Sequence, residues 1–357
     1  MYSAHQIAPK RVQGSGHIKI EMGVNFYDTA KVMGISPLEA AKLYIDKAAE
    51  VGVDCAKFQS YKAETIAAKN SPSYWDLKEN PVTSQFELFK GLDHFNREDY
   101  QALCDYTHGK GMDFTSTPFD YASADYLEPM VDFYKIASAD CSNQPFIRHI
   151  AKKGKPMMLS VGASYLSEVD EAVRTIKEAG CKDLTLLHCV LSYPTKPEDA
   201  NLRVITTLKK DFPDLRIGYS DHVAPDVTMQ TLSTAYLLGA EVLEKHFTLD
   251  KTLKGNDHFH AGDPEDFKKA IANFKWIDTV LGSSEKTVLD CEEIPRKEAR
   301  RSLVLTRSMK AGEILQEKDL MPKRPGIGIS PKYTDIVIGR TIKKDLEEDT
   351  ILTWDMI

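Results

Sequence analysis

Short apolar runs, each followed by a stretch with helical periodicity, recur along the first ~280 residues and restrict the chain to a small set of folds. The runs are Ile18–Met22, Cys55–Phe58, Met112–Thr115, Phe133–Ile136, Met157–Val161, Leu184–Val190, Ile217–Tyr219 and Val242–Phe247. Helical spacing appears over Pro37–Ala49, Arg97–Lys110, Leu166–Ala179, Asn201–Lys210, Val227–Leu238 and Pro264–Leu281. Gly52, Gly111, Gly180 and Gly239 fall where such helices should stop, and Ser167 reads as the cap of an acidic first turn. Strands separated by helices pair in parallel, and eight such units match a (β/α)8 TIM barrel in number and length. An open doubly wound sheet would need fewer strands and usually a Gly-rich phosphate loop, which the sequence lacks.

The rhythm stops after Leu281. Residues 283–299 read as a linker, and from Arg300 onward short strands and turns take over: Ser302–Thr306, Met309–Glu313, Lys323–Ser330, Ile336–Thr341 and Thr350–Thr353. The predicted organisation is a barrel over 1–282 and a small, mostly β domain over 300–357. Residues 69–91 lack periodicity and read as an excursion between the second strand and its helix.

Composition removes whole classes. Apolar residues make up 42% of the 357, enough for a core and too many for intrinsic disorder. The net charge of −7 argues against nucleic acid as a partner. No run approaches the ~20 apolar residues that span a bilayer, so no membrane role is expected. Met1–His5 shows no charged-then-apolar signal pattern, and the six cysteines form no C-x-x-C pair. Reduced thiols and a cytoplasmic location follow as expectations.

Catalytic groups of a barrel stand at the C-terminal ends of its strands. Those ends hold Glu21, Lys57, Gln59, Thr117, Lys135, Ser138, Asp140, Ser160, Tyr193, Ser220, His222 and His246. Each alone has an ordinary explanation: a helix cap for a hydroxyl, a hydrogen-bonded structural role for a histidine. Together they are harder to dismiss, because lysines in one concave mouth repel unless an anion joins them. Lys57 and Lys135 with hydroxyls from Thr117, Ser138, Ser160 and Ser220 would cradle phosphate and carboxylate. His222 and His246, from neighbouring strands, could share one divalent metal, with Glu21 beside it and positions left for water and substrate. His258 and His260, spaced H-x-H, form a competing pair that reads more simply as a solvated polar loop.

Four blocks in order resemble the sialic (nonulosonic) acid synthases: Ser116-Thr117-Pro118-Phe119-Asp120, Gly218-Tyr219-Ser220-Asp221-His222, Glu244–Asp250 and Lys323–Ser330. The last lies in what resembles the antifreeze-like (SAF) domain of that family. The resemblance implies condensation of phosphoenolpyruvate with an N-acyl hexosamine and water to give a nine-carbon 2-keto-3-deoxy acid and phosphate. It implies that Lys57, Thr117, Lys135, Ser138, Ser160 and Ser220 hold the donor. His222 and His246 would bind a divalent metal, most often Mn2+, with Mg2+ or Co2+ as substitutes. Gln59, Tyr193 and Asp257 would contact the acceptor. Arg324 would reach the barrel of a second subunit in a homodimer with exchanged C-terminal domains.

Three positions depart from the family pattern. Phe26 replaces a histidine after strand 1, Asp140 a glutamate after strand 4, and Leu191 a common Asn or Ser after strand 6. Asp140 remains the candidate base for an attacking water, and Glu21 the candidate for proton transfer. Two rivals stand beside this reading: a pyruvate or phosphoenolpyruvate aldolase of barrel type, and a non-catalytic carbohydrate-binding relative.

Overall fold

The computed structural model describes residues 17–357 except 76, 79 and 256. Its contacts divide the chain into two compact units that meet at Leu281/Gly282.

The first unit is built on eight parallel strands: β1 (His17–Gly23), β2 (Cys55–Ser60), β3 (Asp113–Pro118), β4 (Tyr134–Ile136), β5 (Met157–Ser160), β6 (Leu184–Cys189), β7 (Arg216–Asp221) and β8 (Val242–His246). Their order is β3-β2-β1-β8-β7-β6-β5-β4. Across the remaining seam the Asp132 amide donates to Phe114 O at 3.0 Å, and the Thr115 hydroxyl donates to Phe133 O at 2.6 Å. The sheet therefore curls into a nearly closed barrel. Helices cover its outside, so the strands are buried on both faces and read as continuous apolar runs rather than alternating ones. All six residues of β6 are buried.

The helix Pro37–Val51 shows how local chemistry sets these units. Ser36 and Glu39 form a reciprocal capping box at its start, and Gly52 ends it in the left-handed region at φ +85°. Ala40, Ala41, Tyr44, Ile45 and Ala48 give it one buried face. Gly218 in β7 serves closeness instead: a Cβ there would lie 2.4 Å from Val242 O and 2.5 Å from the Leu187 side chain.

Several boundaries differ from the sequence reading. Leu166–Glu178 starts before Ser167; the Tyr165 amide, not Ser167, marks its cap, donating to the Glu168 carboxylate at 2.7 Å. Gln230–Leu237 starts three residues later than expected, because Asp226 accepts from the Thr228 and Gln230 amides and Met229 is left-handed. The 69–91 excursion includes a short helix, Gln85–Lys90, and a pinch where the Trp75 indole donates to Val82 O.

In the second unit, β9 (Ser302–Leu305) pairs antiparallel with β10 (Leu320–Lys323) over a small core that includes Leu303, Leu305, Met309, Val337 and Leu352. Less of it is strand than expected. The runs around Met309, Thr341 and Ile351 contribute single bridges, and Ile336 lies in a helical turn, Thr334–Val337. The strand predicted over Lys323–Ser330 instead ends at Lys323, two residues before Pro325, whose nitrogen has no hydrogen to add to a ladder.

The helix Asn25–Met33 opens at the C-terminal end of β1, and there Phe26 turns away from the mouth. It is buried in the core, stacked on Phe95 at 5.1 Å and edge-on to Phe58 at 5.8 Å. This departure from the family pattern thus contributes packing. Phe26→Ala should cost about 3–5 kcal/mol in urea unfolding; a loss below about 1 kcal/mol would contradict that role.

Candidate active site

The parallel register sets side chains of successive strands level at the C-terminal end of the barrel. Glu21 on β1 lies opposite Lys57 on β2 and His246 on β8; Ser220 on β7 lies opposite Glu244 on β8 and Cys189 on β6. Because strand residues alternate, Lys57 and Gln59 share a face, as do Glu244 and His246. A cavity of about 480 Å³ opens there, lined among others by Glu21, Lys57, Gln59, Thr117, Lys135, Ser138, Asp140, Ser160, Leu191, Tyr193, Ser220, Glu244, His222 and His246.

The lysines do not face each other uncompensated. Lys57 Nζ donates to Glu21 at 2.5 Å and stands 3.4 Å from Glu244, whose other oxygen lies 3.3 Å from Lys135 Nζ. Ser220 donates to Glu244 at 2.8 Å, and Gln59 donates to Glu21 at 2.9 Å. All four charged side chains are buried. Burial pulls Lys57 down, but Glu21 and Glu244 outweigh it and hold the ammonium above its ordinary value. Lys135 moves the other way, because burial with the help of Lys57 outweighs Glu244. Burial would raise Glu244, yet Lys135 and Lys57 hold it well below the carboxylate range. Lys135 is thus the cation with charge to spare.

Around these charges stand hydroxyls. Ser138 Oγ accepts from the Gly162 amide at 3.0 Å, and Thr117 lies 3.4 Å from Lys57. The Ser160 hydroxyl is buried in the cavity wall with no hydrogen-bond partner among the described residues. Asp140 sits on the turn after β4, its carboxyl pushed up by burial while Asn143 donates to it at 3.0 Å.

Histidines occupy the opposite side. His222 Nδ1 lies 2.8 Å from Val190 O, which assigns its proton there and leaves Nε2 as a lone pair. The rings of His222 and His246 are 5.3 Å apart, and Tyr193 covers His222 at 4.2 Å. Asp257 is absent from the cavity wall; its Oδ2 lies 3.6 Å from His246 Nδ1, and its Oδ1 lies 3.9 Å from His260 Nε2. Burial first and Glu21 second push its carboxyl up to about 7. The donor atoms of His246, Asp257 and His260 all lie within 4.8 Å of one another. His246 Nδ1 and both nitrogens of His260 are buried without hydrogen-bond partners among the described residues. Orphaned imidazole nitrogens beside a carboxylate fit a divalent ion.

Two residues here escaped the sequence reading. Glu244 was in view within Glu244-Lys245-His246, and its spacing of two from His246 already placed it in the mouth. Lys245, between them, points outward and is paired with Asp221 at 2.7 Å. The second is Trp75, which joins Tyr74 on the cavity wall from the excursion after β2. Arg324 lies exposed in the second unit.

Comparison with known proteins agrees with this architecture. Residues 44–286 match the NeuB family and residues 300–357 match the SAF domain. The chain is 42% identical to an uncharacterized protein of Methanocaldococcus jannaschii, over 89% of this chain and 90% of that one. It is 37% identical to the N,N'-diacetyllegionaminic acid synthase of Legionella pneumophila, over 90% of each. The crystal structure of the N-acetylneuraminic acid synthetase of Leptospira borgpetersenii, in complex with citrate, superposes with a TM-score of 0.67 at 30% identity, covering 79% of this chain and 90% of that one. The chain belongs to the NeuB family. No helix among its described residues is long and apolar enough to cross a membrane.

Glu244→Gln keeps the volume and removes the charge shared by two buried lysines. It should lower stability by about 3–5 kcal/mol in urea unfolding, and adding Lys135→Met should recover a large part. A loss below about 1 kcal/mol would show that the lysines do not depend on Glu244.

Proposed function

We propose that this NeuB-family chain condenses phosphoenolpyruvate with the open-chain aldehyde of an N-acyl hexosamine, with water, to give a 2-keto-3-deoxy nonulosonic acid and phosphate. The observation that supports it most is the pair of buried lysines, one only partly compensated, beside the unpartnered Ser160 hydroxyl in a cavity that also holds two histidines. A small dianion would satisfy all of them.

In this reading Lys57, Lys135, Thr117, Ser138, Ser160 and Ser220 bind the donor and fix C3 toward the acceptor. C3 attacks the aldehyde carbon, water adds at C2, and the C2–O bond to phosphate breaks. Lys135 offsets the charge gathering on the departing phosphate. Asp140 takes the proton of the attacking water; being one methylene shorter than a glutamate, it does so by closer approach or through an intervening water. Glu21, held by Gln59 and Lys57, transfers a proton at the acceptor oxygen. Gln59 and Tyr193 flank the sugar, with Asp257 behind His246. His222 and His246 would hold a divalent ion, Mn2+ by family resemblance, and such an ion supplies Lewis acidity to an aldehyde oxygen. Arg324, supplied by the second subunit of a domain-exchanged homodimer, would close the mouth against water. The acceptor is an N-acetylmannosamine or a 6-deoxy diacetamido sugar, and a cytoplasmic enzyme is expected.

One observation favours a second reading. Lys135 is held below its ordinary value, as an imine-forming aldolase lysine would be. Borohydride with pyruvate would trap Lys135 covalently in that case and leaves it unmodified in ours.

The test is phosphate release from phosphoenolpyruvate with each acceptor. Release should require an acceptor, stop on removal of metal by EDTA and return with Mn2+. Lys135→Ala should lower kcat/KM by about a hundredfold or more. Acceptor-independent release, or full activity in rigorously metal-free protein, would contradict the reading. Mixing Arg324→Ala with Lys135→Ala subunits should restore roughly a quarter of the activity, since half the dimers are mixed and each has one intact site; no recovery under subunit exchange would count against the exchanged dimer.

A further inference from the structure

We infer that His260 is a ligand of the divalent ion, joining His246 and Asp257, so that the centre is richer than the pair His222 and His246 alone. This rests on the metal site proposed above and not on the identity of the sugar.

The two rings of the H-x-H pair differ in how far the polypeptide satisfies them. His258 is held through one nitrogen: its Nδ1 lies 2.7 Å from the Thr248 hydroxyl, while its Nε2 has no hydrogen-bond partner among the described residues and only the Asp28 carboxylate near it, at 3.4 Å. His260, two residues on, is fully buried, and neither ring nitrogen meets a hydrogen-bond partner among the described residues. A buried polar atom left unpaired is costly, so this ring calls for a partner that the polypeptide does not supply. Its neighbours say which kind. His246 Nδ1 is orphaned as well, and the Asp257 carboxylate stands between the two rings, 3.6 Å from one and 3.9 Å from the other. A water has two hydrogens to give, whereas a cation satisfies two imidazole lone pairs and a carboxylate at once.

Ring spacing agrees. With metal–nitrogen bonds of about 2.1 Å, two imidazoles at ordinary ligand angles have ring centres about 4.5–5.2 Å apart. His246 and His260 are 4.9 Å apart; His222 and His260, at 6.1 Å, are wider than that. His246 is therefore the common member, with His260 as its closer imidazole partner. Gly23 keeps the gap clear, since a Cβ there would lie 3.5 Å from His246 Nδ1 and 3.6 Å from Asp257 Oδ2. Two imidazoles and a carboxylate suit Mn2+, Fe2+, Co2+ or Zn2+ better than Mg2+, which prefers oxygen.

The experiment uses the full chain stripped of metal, without donor or acceptor. Mn2+ is titrated by the EPR signal of the free ion, and Co2+ by its visible absorption. His260→Ala and His260→Gln should each weaken Mn2+ binding by about tenfold or more and alter the Co2+ band. Thermal unfolding of the metal-free variants shows whether they fold, and the glutamine variant retains a polar side chain should the alanine variant fail to fold. Wild-type Mn2+ affinity together with an unchanged Co2+ spectrum in a folded variant would overturn the inference and leave the gap to water. If His260-dependent binding is found but no phosphate is released with any acceptor, the functional reading fails and this one stands.

Discussion

Everything at the mouth depends on the buried chain Glu21–Lys57–Glu244–Lys135. Four ionised groups removed from water are costly unless each has a partner at hydrogen-bond or ion-pair distance. Here the partners come from β1, β2, β8 and β4, strands far apart in sequence that only a curled parallel sheet brings level. The ring of charge and the barrel therefore require each other. The arrangement is also poised: Glu244 is divided between two lysines, and Lys135 keeps the weaker share. An arriving dianion completes what the protein has left incomplete, and the low-dielectric surroundings strengthen that attraction.

The other half of the mouth is nitrogen-rich. Burial, followed by crowding from other imidazoles, holds His246 and His260 well below the usual histidine value. An uncharged imidazole is the form that binds a metal, and the hydrogen bond that His222 Nδ1 donates to Val190 O turns its Nε2 toward the site. The mouth thus pairs an anion cradle with a cation site, separated by Glu21, which touches both: it accepts from Lys57 and stands 3.9 Å from His246 Nε2. The aromatic wall from the exposed Tyr74 and the half-buried Trp75 adds an apolar flank of a kind that sugars use.

The barrel was readable because parallel strands covered on both faces become uninterrupted apolar words, and eight of them in alternation with helices leave few alternatives. The short helices Tyr121–Leu127 and Gln144–Ala151 give only about two turns of periodicity each and so left little trace. The second unit misled in the opposite direction, since a β-branched residue such as Ile336 fits a helical turn when Pro331 opens a 3-10 turn just before it and the Thr334 hydroxyl donates back to Pro331 O. At the site, the cationic residues were legible by position at strand ends. Their counter-charges were not: an external anion was expected to relieve lysine repulsion, and the resting protein uses Glu21 and Glu244. His260 was read as loop polarity, because nothing in an H-x-H spacing tells which ring the fold will bury unpaired.

The account stands on water joining carbon rather than phosphorus. The most direct measurement runs the reaction in 18O-labelled water with phosphoenolpyruvate and an accepted N-acyl hexosamine, and reads the released phosphate by 31P NMR. Addition of water at C2 with rupture of the C2–O bond predicts phosphate free of solvent label, its fourth oxygen coming from the donor. Phosphate carrying an 18O from solvent would mean that the P–O bond breaks, and would contradict the account.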